Sequence, residues 1–241
     1  ILSTEDTGIL VTAPDATLEN NRLEDVLFGI HVRRAPRSVV RGNTIRGKAL
    51  ALPRRGDAIR VWYSDGVTLE GNTIEESRDA VLWFSKDATI RGNTIRGGRY
   101  GLHFMYCDQA VVTGNMLTDN SVGLYLMYSA RLQVLNNRMV RNRGPSGYGL
   151  GLKDMEAVRI EGNVLADNRA GIFLEHASGS FTDNVIAYND VGIDLWPSSR
   201  QNHFAQNSLI ENGEQGAVQG ASGGRANDWT GNYWSDYRGY D

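Results

Sequence analysis

Thr89-Ile90-Arg91-Gly92-Asn93-Thr94-Ile95-Arg96 and, 22 residues on, Val111-Val112-Thr113-Gly114-Asn115-Met116-Leu117-Thr118 are two copies of one element. A short β-branched run enters a Gly-Asn pair, and an apolar residue follows two places after the Asn. Working outward, Gly-Asn recurs at Asn43, Asn72, Asn163 and Asn232, with looser copies at Asn21, Asn137, Asn184 and Asn207. Successive spacings from Asn21 to Asn232 are 22, 29, 21, 22, 22, 26, 21, 23 and 25 residues. A fixed period of this length is the mark of a solenoid. Two of the longer spacings contain visible insertions, one over Gly47–Arg55 and one over Arg143–Gly147.

Each period also carries a small-apolar-x-apolar element, such as Gly101-Leu102-His103-Phe104 and Gly123-Leu124-Tyr125-Leu126. Alternation of period two predicts a strand with one buried face. Aligned copies give columns. Three places before the Asn stand Val40, Leu69, Ile90, Val112, Val134 and Ile160, and two places after it Ile45, Ile74, Ile95, Leu117, Met139 and Leu165. These columns predict an all-β, single-stranded right-handed parallel β-helix of about nine coils, ~22 residues each, in one domain over residues 1–241. A leucine-rich repeat is the competitor, but Gly and Asn recur where its helix should be. The Asn column, Asn43, Asn72, Asn93, Asn115, Asn137, Asn163, Asn184 and Asn207, is expected to form a structural ladder, each side chain bonding the next coil and taking the left-handed corner.

Composition narrows the function. A net charge of −3 gives no bulk attraction to nucleic acid or an anionic membrane surface. No apolar run reaches the ~20 residues of a spanning helix, and no signal peptide is visible. The single Cys107 can form no internal disulfide. It falls in a column of small residues (Ala35, Ser64, Ser85, Ser129, Ala177, Ser198), which predicts a buried corner. The chain begins at Ile1 and shows no capping helix, so it is expected to be truncated at both ends relative to a longer protein. No H-E-x-x-H or phosphate-binding glycine loop is present, and no outward row gathers paired carboxylates. No catalytic residue is assigned, and the expectation is a non-enzyme.

The outward rows are more informative. One reads His31, Arg60, Leu82, His103, Tyr125, Gly151, Phe173 and Asp194; the next reads Arg33, Trp62, Phe84, Met105, Met127, Lys153, Glu175 and Trp196. An apolar outward face predicts a binding surface, with Trp62, Tyr63, Phe84, Tyr125, Tyr128 and Trp196 as candidate partner contacts. His103 and Met105 share one strand face, and Met127 falls beside Met105 one coil on. An imidazole with two thioethers suits Cu(I), so these three are the candidate metal ligands.

Several strings resemble the NosD family of nitrous oxide reductase maturation proteins. They are Gly56-Asp57-Ala58-Ile59-Arg60-Val61-Trp62-Tyr63-Ser64, Gly98-Arg99-Tyr100-Gly101-Leu102-His103-Phe104-Met105-Tyr106, the stretch from Asn142 to Asp154, and the closing stretch from Gly231 to Asp241. The resemblance runs from about Asn43 to the end. It implies a periplasmic β-helix protein of denitrification that works with a membrane ABC transporter and a copper chaperone to build the copper centres of nitrous oxide reductase. Transient Cu(I) is the implied cargo, and no catalytic residue is implied. A carbohydrate-binding or carbohydrate-active β-helix stays open beside it, with Trp62, Tyr125 and Trp196 as sugar-stacking platforms.

Overall fold

A computed structural model describes residues 1–219 and 226–239. Among the described residues twenty-seven strands join in one continuous sheet. The strand Thr89–Arg91 pairs in parallel with Thr68–Glu70 on one side and Val111–Thr113 on the other, residue for residue in the 21- or 22-residue register. Parallel pairing of successive coils continues from Leu2 to Trp234, with a wider offset where a coil is longer, giving a parallel β-helix of about ten turns. The first insertion carries a short 3-10 turn, Leu52–Arg54. Tyr240 and Asp241, which end the closing family-like string, lie outside the described residues.

The column side chains fill the interior. Val40, Ile90, Val112, Val134 and Ile160 are fully buried, and the column continues through Phe181 and Phe204. Their rings stack on each other and on Trp229, with centroids 4.7 and 4.1 Å apart. Like stacks on like because each strand position recurs one strand spacing, ~4.8 Å, along the axis.

The Asn residues join the coils. Asn115 Nδ2 donates to the carbonyls of Ile90 (3.0 Å) and Thr113 (3.1 Å) and to Asn137 Oδ1 (2.9 Å), while its Oδ1 accepts from the backbone N–H and Nδ2 of Asn93 (both 2.9 Å). A second ladder runs through Asn120, Asn142, Asn168, Asn189 and Asn212. The left-handed corner falls one residue earlier than the sequence suggests. Gly42, Gly71, Gly92, Gly114, Gly162 and Gly231 hold φ near +60°, as do Asn20, Asn136, Asp183 and Gln206 in the remaining copies. Glycine precedes the ladder Asn because a residue without Cβ adopts this φ without strain.

One register expectation is corrected. Leu82, placed on the outward row by its repeat, is fully buried. Val81 pairs with Arg60 and His103, Leu82 with Val61 and Phe104, and Trp83 with Trp62 and Met105. The coil is one residue short, and a register shift between the pairs Asp79/Tyr100 and Ala80/Leu102 absorbs the difference. Ala80 therefore stands in the inward position of Ile59 and Leu102, although its size matches the small residue before them. Because side chains alternate, a slip of one residue exchanges the two faces.

Candidate functional site

The strand Tyr100–Met105 sets the centre of the outward face. Leu102 and Phe104 enter the core, so His103 and Met105 take the other face. On the next coil His103 stands beside Tyr125, and Met105 beside Met127. The structure thus brings Met105 and Met127 together as a cross-strand pair, both half-buried, with His103 two residues along the same strand.

His103 faces outward yet is covered. It is only 7% exposed, under Tyr100 (centroids 4.8 Å apart) and Tyr125 (6.1 Å). Neither ring nitrogen has a hydrogen-bond partner. Burial pushes its pKa down to about 4, opposed by the nearby Asp79 carboxylate, so the imidazole is neutral at neutral pH. A buried polar group without a partner is costly, and here it leaves a nitrogen lone pair available.

Tyr125 does not stand free as a platform either. Its ring lies over Gly151, where an added Cβ would come within 2.5 Å of Cδ2 and 2.8 Å of Cε2. The absent side chain lets Tyr125 lie down against the sheet. It is half-buried, with burial raising its phenol pKa, and it sits 5.5 Å from Tyr100 and 6.3 Å from Tyr148. Tyr148 in turn stacks on Phe173 at 4.4 Å, and Phe173 meets Trp196 edge-on at 6.0 Å.

Phe84 is not on the methionine row. Together with Tyr63, Tyr106 and Tyr128 it occupies a corner column with φ between +48° and +57°. Consecutive rings stack at 4.9, 5.0 and 5.1 Å, with interplanar angles of 8°, 2° and 15°. Tyr63 (48%), Tyr106 (45%) and Phe84 (40%) are exposed, and Trp62 (36%) packs on Tyr63 at 5.6 Å. A left-handed backbone is uncommon for bulky side chains and costs roughly 1–2 kcal/mol each. Each ring pair returns roughly 0.5–1.5 kcal/mol. Stacked rings turn their faces to one another and their edges to solvent. Sequence reasoning missed Tyr106; the recurrence of an aromatic one place after the outward strand (Tyr63, Phe84, Tyr106, Tyr128) is the signal that finds it.

Cys107 belongs to the interior. Its side chain is fully buried, its Sγ lies 3.3 Å from the carbonyls of Leu82 and Met105, and burial pushes its thiol up to about 11. A protonated, enclosed thiol is a poor copper ligand at neutral pH. In its column Ser199 takes the place expected of Ser198, its hydroxyl oxygen accepting a hydrogen bond from the Ala177 N–H at 3.1 Å. Among the described residues, no cluster of three or more His, Cys, Asp or Glu is suited to a metal. The donors present at the outward face are a neutral imidazole and two thioethers, a set that fits a soft monovalent ion.

A family model, described as periplasmic copper-binding protein (NosD), matches residues 42–239. The chain belongs to the NosD family. No curated protein matches it significantly. Solved structures similar to this NosD-family chain include the Dettilon tailspike protein (15% identity, TM-score 0.72, covering 96% of this chain and 55% of the tailspike chain). The A-module of the mannuronan C-5 epimerase AlgE6 of Azotobacter vinelandii is similar too (15%, 0.70, 92% and 65%), as is PfbA, a surface adhesin of Streptococcus pneumoniae (11%, 0.66, 88% and 71%). At these identities the likeness shows the β-helix fold alone. The chain spans a little over half of the tailspike and about two thirds of the epimerase module. Among the described residues no helix is long and apolar enough to cross a membrane.

Proposed function

We propose that this chain is a non-enzymatic periplasmic assembly factor that carries Cu(I) transiently at His103, Met105 and Met127 for the copper centres of nitrous oxide reductase. The observation that carries the reading is His103: a buried neutral imidazole with no hydrogen-bond partner, on the same strand face as a cross-strand pair of methionines. Supporting it is membership of a family described as periplasmic copper-binding. Two thioethers and one imidazole hold Cu(I) as a soft cargo and leave its coordination open, which suits transfer rather than storage. The flanking rings of Tyr100 and Tyr125 shield the site from water. The exposed aromatic corner, with Trp62, is the docking edge for the protein partners: a membrane ABC transporter, a copper chaperone and the reductase.

The carbohydrate reading is less well supported. Trp62 and Trp196 each stand three coils from Tyr125, roughly 14 Å by the strand spacing, and Tyr125 lies flat over Gly151. The corner rings offer edges rather than the open faces a sugar stacks on. A titration with Cu(I) under reducing conditions, followed by X-ray absorption at the copper edge, tests the proposal. Sulfur scatterers with one nitrogen are expected. A bound ion seen only by oxygen and nitrogen would refute it.

A further inference from the structure

The two insertions that lengthen the repeat come together on one side of the helix. A cavity of about 380 Å³ opens between them, walled by Leu52 and Pro53 of the first and Pro145 and Ser146 of the second, with Arg78, Arg99 and Tyr100 beneath. A second cavity of about 480 Å³ adjoins it across Leu52 and Ser121. The walls are held in place. Arg55 donates to the carbonyls of Leu50 (2.7 Å) and Gly97 (2.8 Å), and Arg169 donates to that of Pro145. The cleft is therefore built before any ligand arrives.

Its charge is arranged in layers. Asp57 and Asp79 are almost wholly buried and do not line the cavity. Asp57 binds Arg78 Nε at 3.1 Å and also Arg60, and Asp79 grips Arg99 on both oxygens. Arg99 also lies over the Tyr100 ring, 4.5 Å from its centroid. The carboxylates thus fix the two guanidinium groups from behind. Among the described residues the Nη1 groups of Arg78 and Arg99 make no hydrogen bond, so each keeps donors for a ligand. A guanidinium is suited to receiving a carboxylate in this way.

We propose that this cleft binds an acidic peptide segment of a protein partner, a carboxylate on Arg78 and Arg99 and adjacent aliphatic side chains against Leu52, Pro53 and Pro145. The aliphatic walls select the ligand class. A uronate sugar carries hydroxyls around its rim and would lose their hydration against these walls without replacement bonds. A Glu or Asp beside a Leu or Val satisfies both surfaces. The site makes no use of copper, so the metal-free chain binds as well as the loaded one.

The test is calorimetric titration of the metal-free chain with three probes: an octapeptide alternating Leu and Glu, the same peptide with Gln for Glu, and oligogalacturonate. The Glu peptide should bind at least tenfold more tightly than the Gln peptide, more weakly as salt rises, and oligogalacturonate should not compete. Arg78→Gln should weaken the Glu peptide about tenfold. Because loss of Arg78 leaves Asp57 less well paired, Pro53→Glu and Ser146→Glu serve as second variants. They place a repelling carboxylate at the exposed mouth and should weaken binding as much at unchanged melting temperature. No binding of the Glu peptide, equal binding of the Gln peptide, indifference to the mouth variants, or oligogalacturonate binding as tightly would each overturn the proposal.

Discussion

Replacing His103 by Leu should stabilise the metal-free chain, and by more at pH 5.0 than at pH 7.5. In the folded protein the neutral imidazole carries one N–H and one lone pair, neither with a hydrogen-bond partner. Taken near the low end of the ~1–3 kcal/mol range for an unsatisfied buried group, the two together cost about 2–3 kcal/mol. Leu removes both and keeps an apolar side chain against Tyr100 and Tyr125, losing about 0.5–1.5 kcal/mol of ring contact. A net gain of about 1–2 kcal/mol at pH 7.5 follows. Acid adds to it. The folded pKa, about 4, is below the unfolded value near 6.5, so the unfolded chain takes up the proton first. Wild-type stability from this residue is fully present above pH 6.5, falls as pH drops, and levels off below about 4. Between pH 7.5 and 5.0 that amounts to about 2 kcal/mol, from 1.36 kcal/mol per pKa unit. The Leu variant is spared this loss, so its advantage should widen to about 3–4 kcal/mol, or roughly 6–15 °C in melting temperature for a chain of this size. Thermal melts followed by circular dichroism at the two pH values measure both. A Leu variant that melts below wild type at both, or a gap that does not widen in acid, would refute the reading of His103 as a buried, unpaired imidazole.

Other expectations follow from the same geometry. Asn115→Ala removes bonds to Ile90, Thr113 and both neighbouring Asn residues; it should cost on the order of 2 kcal/mol and lower the melting temperature by about 4–8 °C in a thermal scan. Gly151→Ala should push the Tyr125 ring off the sheet, uncover His103 and raise the His103 pKa toward 6.5, measurable by NMR titration of the imidazole; an unchanged value would show that Tyr125 does not cover it. Trp62→Ser should alter the melting temperature little, whereas Tyr125→Ser, which empties a half-buried site, should lower it. Neither pectin nor alginate should be turned over, and product formation lost on replacing one acidic residue would show an enzyme.

The repeat was legible because the β-helix writes its period directly into the chain. Glycine marks each left-handed corner, Asn marks the bond to the next coil, and apolar residues two and three places away mark the core. Ala80 was misread because a small residue can end a strand or lie within one, and only pairing distinguishes the two. The corner stack of Tyr63, Phe84, Tyr106 and Tyr128 was hidden because propensity argues against bulky residues at positive φ; the neighbouring rings that make it tolerable lie a whole coil away. His103 was legible as outward from alternation alone. Its burial was not, because Tyr100 and Tyr125 cover it only once Gly151, from a third coil, makes room. The cleft between the insertions was equally invisible, since the two loops lie some ninety residues apart in the chain and meet only in the folded stack.

Competition for Cu(I) between this chain and a chromophoric chelator tests the copper site most directly, on wild type and on the double variant Met105→Ile with Met127→Ile. Isoleucine keeps the half-buried row apolar, so the fold should be retained by circular dichroism. The account predicts that wild type draws Cu(I) from the chelator and that the double variant does so at least tenfold less effectively. Equal affinity in the two proteins would contradict it.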